Sequence, residues 1–120
     1  MCRKNDASLG DRQMINRKIV SKINEYLYSA TTELSAWLNK TLPRVTDEWW
    51  QECVISNLSY AQKNLAGENG YTELEQFDLA ALLRIADKSW YDMRSIAYLP
   101  SAQRQCVRAL MKVRNNWAHF

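Results

Sequence analysis

The chain has 120 residues, of which 47% are hydrophobic and 24% charged, and its formal net charge at pH 7 is +3. A chain of this length is typical of one domain, and its composition argues against intrinsic disorder. No apolar run approaches the roughly 18 residues that a transmembrane helix needs, and the N-terminus lacks the apolar stretch of a signal peptide. We therefore expect a soluble, cytoplasmic protein without a membrane partner.

Cysteine and histidine usage narrows the possible chemistry. Cys2, Cys53 and Cys106 form no CxxC pair, and His119 is the single histidine. This argues against a disulfide framework and against a multi-histidine metal site. The phosphate-binding glycine loops and the serine-hydrolase elbow are missing from the sequence as well. We expect no metal and no cofactor, and we expect Cys106 to be a small buried hydrophobe.

Apolar residues recur every three or four positions in four blocks, which is the helical period. Glycines and prolines fall between the blocks, where helices end. The pattern predicts an all-α protein, namely a four-helix bundle with up-and-down topology and room for an extra short helix. The predicted helices cover residues 12–40, the segment from Thr46 to Leu65, the segment from Asp78 to about Ile96, and the segment from Ser101 to the end of the chain. Asp78 is predicted to be the N-terminal cap of the third helix.

The two ends of the chain lead to expectations about domain organisation. Residues 1–11 are polar, and we expect them to form a flexible N-terminal segment. The helical domain is expected to cover residues 12–120. Because the last helical pattern still continues at Phe120, we expect this domain to be the N-terminal fragment of a larger protein.

The fourth predicted helix carries a row of positive charges. No acidic residue follows Asp92, and Arg104, Arg108 and Lys112 are spaced i, i+4, i+8, on one face of a helix. Such a stripe can neutralise phosphates, which makes these three residues candidates for RNA binding. The alternative is an ordinary solvated helix face whose C-terminal cations suit the helix dipole.

The same helix ends with an arginine, an asparagine and a histidine at helical spacing. Asn115 and His119 lie one turn apart, and Arg114 flanks the same surface. Arginine binds phosphate oxygens in a bidentate manner, and histidine titrates near neutral pH and can therefore move a proton. These three residues are candidate catalytic residues at a phosphodiester. The alternative is a histidine near a helix end that has no function.

The segment from Arg114 to His119 resembles the R-x(4–6)-H motif of the HEPN superfamily, in which a polar residue, often asparagine, follows the arginine. The run from Asp78 to Trp90 and the pair Trp49-Trp50 resemble one subgroup of that superfamily. Members of this subgroup are attached to helicase, ATPase or nuclease domains. The resemblance covers about residues 14–120.

The resemblance implies a specific assembly and a specific reaction. HEPN domains are helical bundles that commonly dimerise, so we expect a homodimer through the fourth helix with two Arg/His pairs in one cleft. Active members are metal-independent endoribonucleases that leave a 2′,3′-cyclic phosphate. On this pattern His119 would act as general base or acid, Arg114 would stabilise charge on the phosphoryl oxygens, and Asn115 would orient His119 or the phosphate.

The leading functional prediction is therefore an RNA-binding HEPN domain with metal-independent endoribonuclease activity. It would serve nucleic-acid processing or phage defence as part of a larger helicase or ATPase. One alternative is a non-catalytic dimerisation module of a helicase, and another is the toxin half of a HEPN–nucleotidyltransferase toxin–antitoxin pair. A helix-turn-helix DNA binder is disfavoured, because the connection between the second and third helices is long.

Overall fold

The computed structural model describes the backbone of residues 9–117 and the side chains of residues 17–117. All regular structure within this range is helical, as predicted, and it contains no strand. Short 3₁₀ and π-helical turns connect the α-helices. The α-helices are α1 (Leu9–Thr41), α2 (Tyr60–Asn69), α3 (Leu79–Lys88), α4 (Trp90–Arg94) and α5 (Ser101–Trp117); the 3₁₀ turns are Leu42–Arg44, Ile55–Asn57 and Leu74–Gln76, and the π-helical turn is Trp50–Val54.

The long helix α1 has two unlike halves. Its 33 residues correspond to a length of about 50 Å at 1.5 Å per residue. Side chains in the range 17–29 are mostly exposed, whereas Leu38 near the end of α1 and Leu42 just after it are fully buried. Only the C-terminal half of α1 therefore contributes to the core, and the described side chains of its N-terminal half are mostly left to solvent.

The prediction of one continuous helix from Thr46 to Leu65 is wrong, because this segment is interrupted before α2. The chain leaves the helical conformation at Leu58, whose ψ is 155°, and α2 begins anew after Ser59. The Ser59 hydroxyl accepts a hydrogen bond from the Gln62 backbone N–H at 3.2 Å, and the Ser59 N–H donates to the Gln62 side chain at 2.9 Å. This reciprocal capping satisfies two backbone donors at a helix start, so the interruption is locally stabilised.

The third predicted helix begins as expected but is interrupted near its end. The Asp78 carboxylate accepts a hydrogen bond from the Ala81 N–H at 2.9 Å, which confirms the predicted cap. The helix breaks at Ser89, which is fully buried. The Ser89 hydroxyl donates to the Cys53 carbonyl at 3.2 Å and accepts from the Asn57 side chain at 2.9 Å. Because these contacts are tertiary, the separation of α3 from α4 has no local sequence signal.

The helix α5 runs antiparallel to both α1 and α3. Arg104 contacts Asp87 near the end of α3, whereas Arg114 contacts Asp78 at its start. The end of α5 likewise reaches back toward the N-terminal half of α1, where the Trp117 indole N–H donates to the Asn24 side chain at 3.1 Å. The helices α1 and α3 are therefore parallel to each other, and these directions fit the predicted up-and-down order.

The core is centred on α3, and α5 covers it from outside. Six residues of α3 are buried, whereas α5 has no buried residue. Cys106 on α5 is therefore exposed, and the prediction that it is buried is wrong. Cys53 is buried instead, and burial, together with the charges of Asp92 and Glu52, raises the pKa of its thiol. None of the described helices is long and apolar enough to cross a membrane.

Candidate nucleic-acid interface

The helix α5 presents most of the predicted functional side chains. It begins directly after Pro100, as the sequence predicts, and the Pro100 carbonyl accepts a hydrogen bond from the Gln103 N–H at 3.0 Å. Its half-buried apolar residues, such as Val107 and Leu110, face α1 and α3 across a shallow groove. The opposite face of α5 is consequently left to solvent along the whole helix.

Two of the three stripe residues share one carboxylate. The Nε atoms of Arg104 and Arg108 lie 3.2 and 3.1 Å from the same Asp87 oxygen. The Asp87 side chain is only 16% exposed. Burial raises the pKa of the Asp87 carboxyl, but the hydrogen bonds and positive charges of Arg108 and Arg104 outweigh it, so the pKa lies below its ordinary value. This cluster fastens the first half of α5 to the end of α3.

The stripe therefore presents less free charge than its sequence predicts. Three cations and the one carboxylate of Asp87 leave two positive charges along this face. Lys112 is exposed, and within the described part of the chain no carboxylate lies within ion-pair distance of it. Arg108 is also largely exposed, although Asp87 holds its Nε. Of the three, Lys112 remains fully available to a phosphate, and Arg108 and Arg104 remain partly available.

Arg114 has a looser partner at the other end of α5. Its Nη2 lies 3.9 Å from the Asp78 Oδ2, and the Asp78 side chain is 64% exposed. The other oxygen of Asp78 caps α3. A solvent-exposed pair at this distance contributes little energy, so a phosphate could replace Asp78 as the partner of Arg114. The Arg114 side chain is itself 33% exposed.

Asn115 is exposed beside Arg114, on the solvent side of α5. His119, the third candidate catalytic residue, lies outside the residues that the structure describes. The structure therefore shows that two of the three candidates, Arg114 and Asn115, are at least partly accessible to solvent. The pairing of Arg114 with His119 stays a prediction.

An open concave surface adjoins the end of α5. A cavity of about 620 Å³ that is largely open to solvent lies on α1, and its lining residues all belong to that helix: Arg17, Val20, Ser21, Asn24, Glu25 and Tyr28. Asn24 is also the residue that accepts the hydrogen bond from Trp117. The C-terminal end of α5, with Arg114 and Asn115, therefore lies next to a surface that is large enough for a ligand or a partner helix.

Sequence reasoning missed the acidic partners of α5. Asp78 was identified only as a cap, and Asp87 was not identified at all. One signal was present, since no acid follows Asp92 and the cations of α5 had to find carboxylates on another element. Which carboxylates these are depends on the antiparallel packing of α5 against α3, which the sequence does not state.

The described residues form an all-α domain, and its helix α5 carries Arg114 and Asn115, both at least partly exposed, near its C-terminal end. The chain belongs to the Swt1-like HEPN family, whose model matches residues 25–120. Comparisons with curated proteins and with solved structures found no significant match. The family confirms the HEPN resemblance and makes this chain a HEPN-type module related to nucleic acids. Attachment to a helicase and the activity of the R-x4-H motif stay predictions.

Proposed function

We propose that this domain binds RNA along α5 and cleaves it without a metal ion at the C-terminal end of that helix. The observation that supports this most directly is the state of Arg114. Its guanidinium lies 3.9 Å from the Asp78 carboxylate, which is 64% exposed, whereas Arg104 and Arg108 lie 3.2 and 3.1 Å from an Asp87 carboxylate that is only 16% exposed. An arginine that serves a purely structural role would be expected to have a closer, less exposed partner.

The proposed reaction is an internal transesterification of RNA. His119 takes the proton of a ribose 2′-hydroxyl, and the 2′-oxygen attacks the adjacent phosphorus. The bond from phosphorus to the 5′-oxygen breaks, and that oxygen takes up a proton to leave as a 5′-hydroxyl. Arg114 stabilises the negative charge on the non-bridging oxygens, and Asn115 orients His119 or the phosphate. The products are a 2′,3′-cyclic phosphate and a 5′-hydroxyl, so DNA should not be cleaved.

The test is RNA cleavage in excess EDTA by the wild type and by the variants Arg114→Ala, Arg114→Lys and His119→Ala. We expect cleavage to survive chelation and to fall at least 100-fold in both alanine variants, which is the order of effect of losing an electrostatic or acid–base group. Arg114→Lys should also lose much of the rate, because lysine keeps the charge but not the bidentate geometry.

Lys63→Ala provides the matched control, since it removes one exposed cation from α2 instead of α5. Its cleavage rate should equal that of the wild type. Equal traces of cleavage in all variants would indicate contamination and would overturn the proposed nuclease. Circular dichroism of each variant checks that a lost activity is not a lost fold.

A second candidate, a non-catalytic dimerisation module, is favoured by exposed apolar side chains. Ile19 and Val20 on α1 and Val113 on α5 are each exposed by 43% or more. The match to the family begins only at Glu25, so Ile19 and Val20 precede the matched region. A second copy packed against these exposed apolar side chains and the end of α5 would bring two Arg114 side chains near one interface.

Sedimentation of Val113→Asp and of Tyr98→Asp would test the dimer. Both side chains are exposed, but Tyr98 precedes α5 and serves as the control. We expect the wild type and Tyr98→Asp to sediment as dimers, and Val113→Asp to dissociate at least tenfold more readily because it places a charge in an apolar contact. A monomeric wild type would overturn the dimer.

We also propose that a helicase or ATPase domain, with a role in phage defence, belongs to the same native chain. The full-length coding sequence tests this directly. A neighbouring gene for a small nucleotidyltransferase would favour the toxin–antitoxin alternative instead, and a long native extension carrying an ATPase would count against that alternative.

A further inference from the structure

A recessed site at the opposite end of α5 combines two arginines with a hydroxyl. A cavity of about 250 Å³ lies between α4 and the start of α5 and is lined by Trp90, Arg94, Leu99, Ser101 and Arg104. No carboxylate lines this cavity among the residues described. From Ser101 to Arg114 the helix rises by about 20 Å at 1.5 Å per residue. The cavity is thus well separated from the proposed cleavage site.

Arg104 is held in one orientation at the wall of this cavity. Its Nε donates to the Asp87 carboxylate at 3.2 Å, and its Nη2 donates to the Asp87 backbone carbonyl at 3.3 Å. Two bonds to one residue fix the plane of the guanidinium. Within the described part of the chain, its remaining nitrogen, Nη1, has no such bond. Arg104 therefore has a positioned donor left over for a ligand.

Arg94 supplies a second cation, which forms no ion pair with a carboxylate among the described side chains. Its guanidinium carbon lies over the Tyr91 ring, 5.8 Å from the ring centre. It is exposed, so its side chain can turn toward a ligand at low cost. The Ser101 hydroxyl adds a neutral donor, and the first backbone N–H groups of α5 are directed toward the same end.

We propose that this cavity is a binding subsite for one phosphate group of the RNA backbone. Two guanidinium groups and a hydroxyl are donors that phosphate oxygens accept well. The volume is below the roughly 300 Å³ of the smallest ligand sites for drug-sized molecules, so it suits a phosphate better than a whole nucleotide. RNA as the source of the phosphate rests on the proposed function, whereas phosphate binding itself does not.

The direct test is a titration of the ¹⁵N-labelled protein with inorganic phosphate, followed by NMR, with sodium chloride at equal ionic strength as the reference. Phosphate should cause saturable shifts of the Ser101 and Ala102 amides and of the Arg94 and Arg104 Nε–H signals. Arg94→Gln should weaken phosphate binding at least fivefold, Arg94→Lys should weaken it less, and Lys63→Gln on α2 should leave it unchanged. Shifts that do not saturate, or equal affinity in Arg94→Gln and the wild type, would overturn the subsite.

A second arm identifies the source of the phosphate. Fluorescence anisotropy with a single-stranded RNA long enough to span the cavity and Arg114 should show at least a fivefold loss of affinity in Arg94→Gln and none in Lys63→Gln. If Arg94→Gln loses phosphate binding but keeps RNA affinity, RNA is the wrong ligand. Both arms measure binding, so a failure of cleavage in EDTA overturns the nuclease alone and leaves the subsite standing.

Discussion

The helices α3 and α5 lie side by side but differ in how much of each is buried. Each has an apolar side, yet α3 buries six residues and α5 buries none. Burial of apolar area is the main favourable contribution to folding, so α3 carries stability. Because α5 is attached over a half-buried face, its polar face stays open, and most of the candidate RNA contacts are there. The contrast separates what holds the domain together from what is available to a ligand.

The two aspartates of α3 and its cap that pair with arginines of α5 differ in the same way. Asp87 is mostly buried and binds two arginines at close distance, whereas Asp78 is mostly exposed and lies 3.9 Å from Arg114. The first half of α5 is therefore fixed to α3. The second half is held by the weaker pair and by the bond from Trp117 to Asn24. An accessible arginine at the loosely held end is what a phosphate-binding role requires.

The largest expected effect is on the core side of this contrast. Leu82 on α3 is fully buried, so Leu82→Ala should lower the free energy of unfolding by about 2–5 kcal/mol. Leu110 on α5 is only half-buried, so Leu110→Ala should cost clearly less. Urea denaturation of both variants measures the difference. Equal losses would show that α5 belongs to the core as much as α3 does.

The next effect concerns the two roles of Asp78. Asp78→Ala removes the cap of α3 and should cost about 1 kcal/mol of unfolding free energy. Asp78→Asn keeps the capping oxygen but removes the charge that faces Arg114, so it should remain close to the wild type in thermal denaturation. If Asn costs as much as Ala, the pair with Arg114 is a structural contact and the proposed accessibility of Arg114 is wrong.

Acid titration tests the tighter pair. The pKa of Asp87 is lowered in the folded state, so its contribution to stability is present above the unfolded pKa of about 3.9. That contribution is lost as the pH falls through the lower folded value. Asp87→Asn should therefore be less stable than the wild type at pH 6, and the difference should shrink below pH 4. A difference that is independent of pH would mean that the Asp87 charge is not what joins the helices.

The smallest expected effect on stability is that of Lys112→Gln. This exposed residue on α5 has no ion pair in the described range, so unfolding free energy should change by less than about 0.5 kcal/mol. The slope of log RNA affinity against log salt concentration should nevertheless become shallower by about 0.7, which is the value for one phosphate contact on a single strand. An unchanged slope would remove Lys112 from the RNA-binding face.

Local signals predicted the helices well and the interruptions poorly. The cap at Asp78 and the start of α5 after Pro100 depend on side chains within a few residues, and both were predicted correctly. The break before α2 also has a local cause, since Ser59 and Gln62 form a capping box, and that spacing could have been recognised. The break at Ser89 could not, because its hydrogen bonds reach Cys53 and Asn57, more than 30 residues away.

The candidate site likewise has features that the local sequence predicts and features that depend on tertiary packing. Helical spacing alone placed Arg104, Arg108 and Lys112 on one face, because a 3.6-residue repeat requires it. The resemblance of residues 114–119 to a known motif pointed to the HEPN superfamily, and the family match confirms the membership. The availability of each cation depended instead on which carboxylate the antiparallel packing of α5 brought near it. Charge pairing acts between atoms a few ångströms apart, and distances across two helices exist only once the chain has folded.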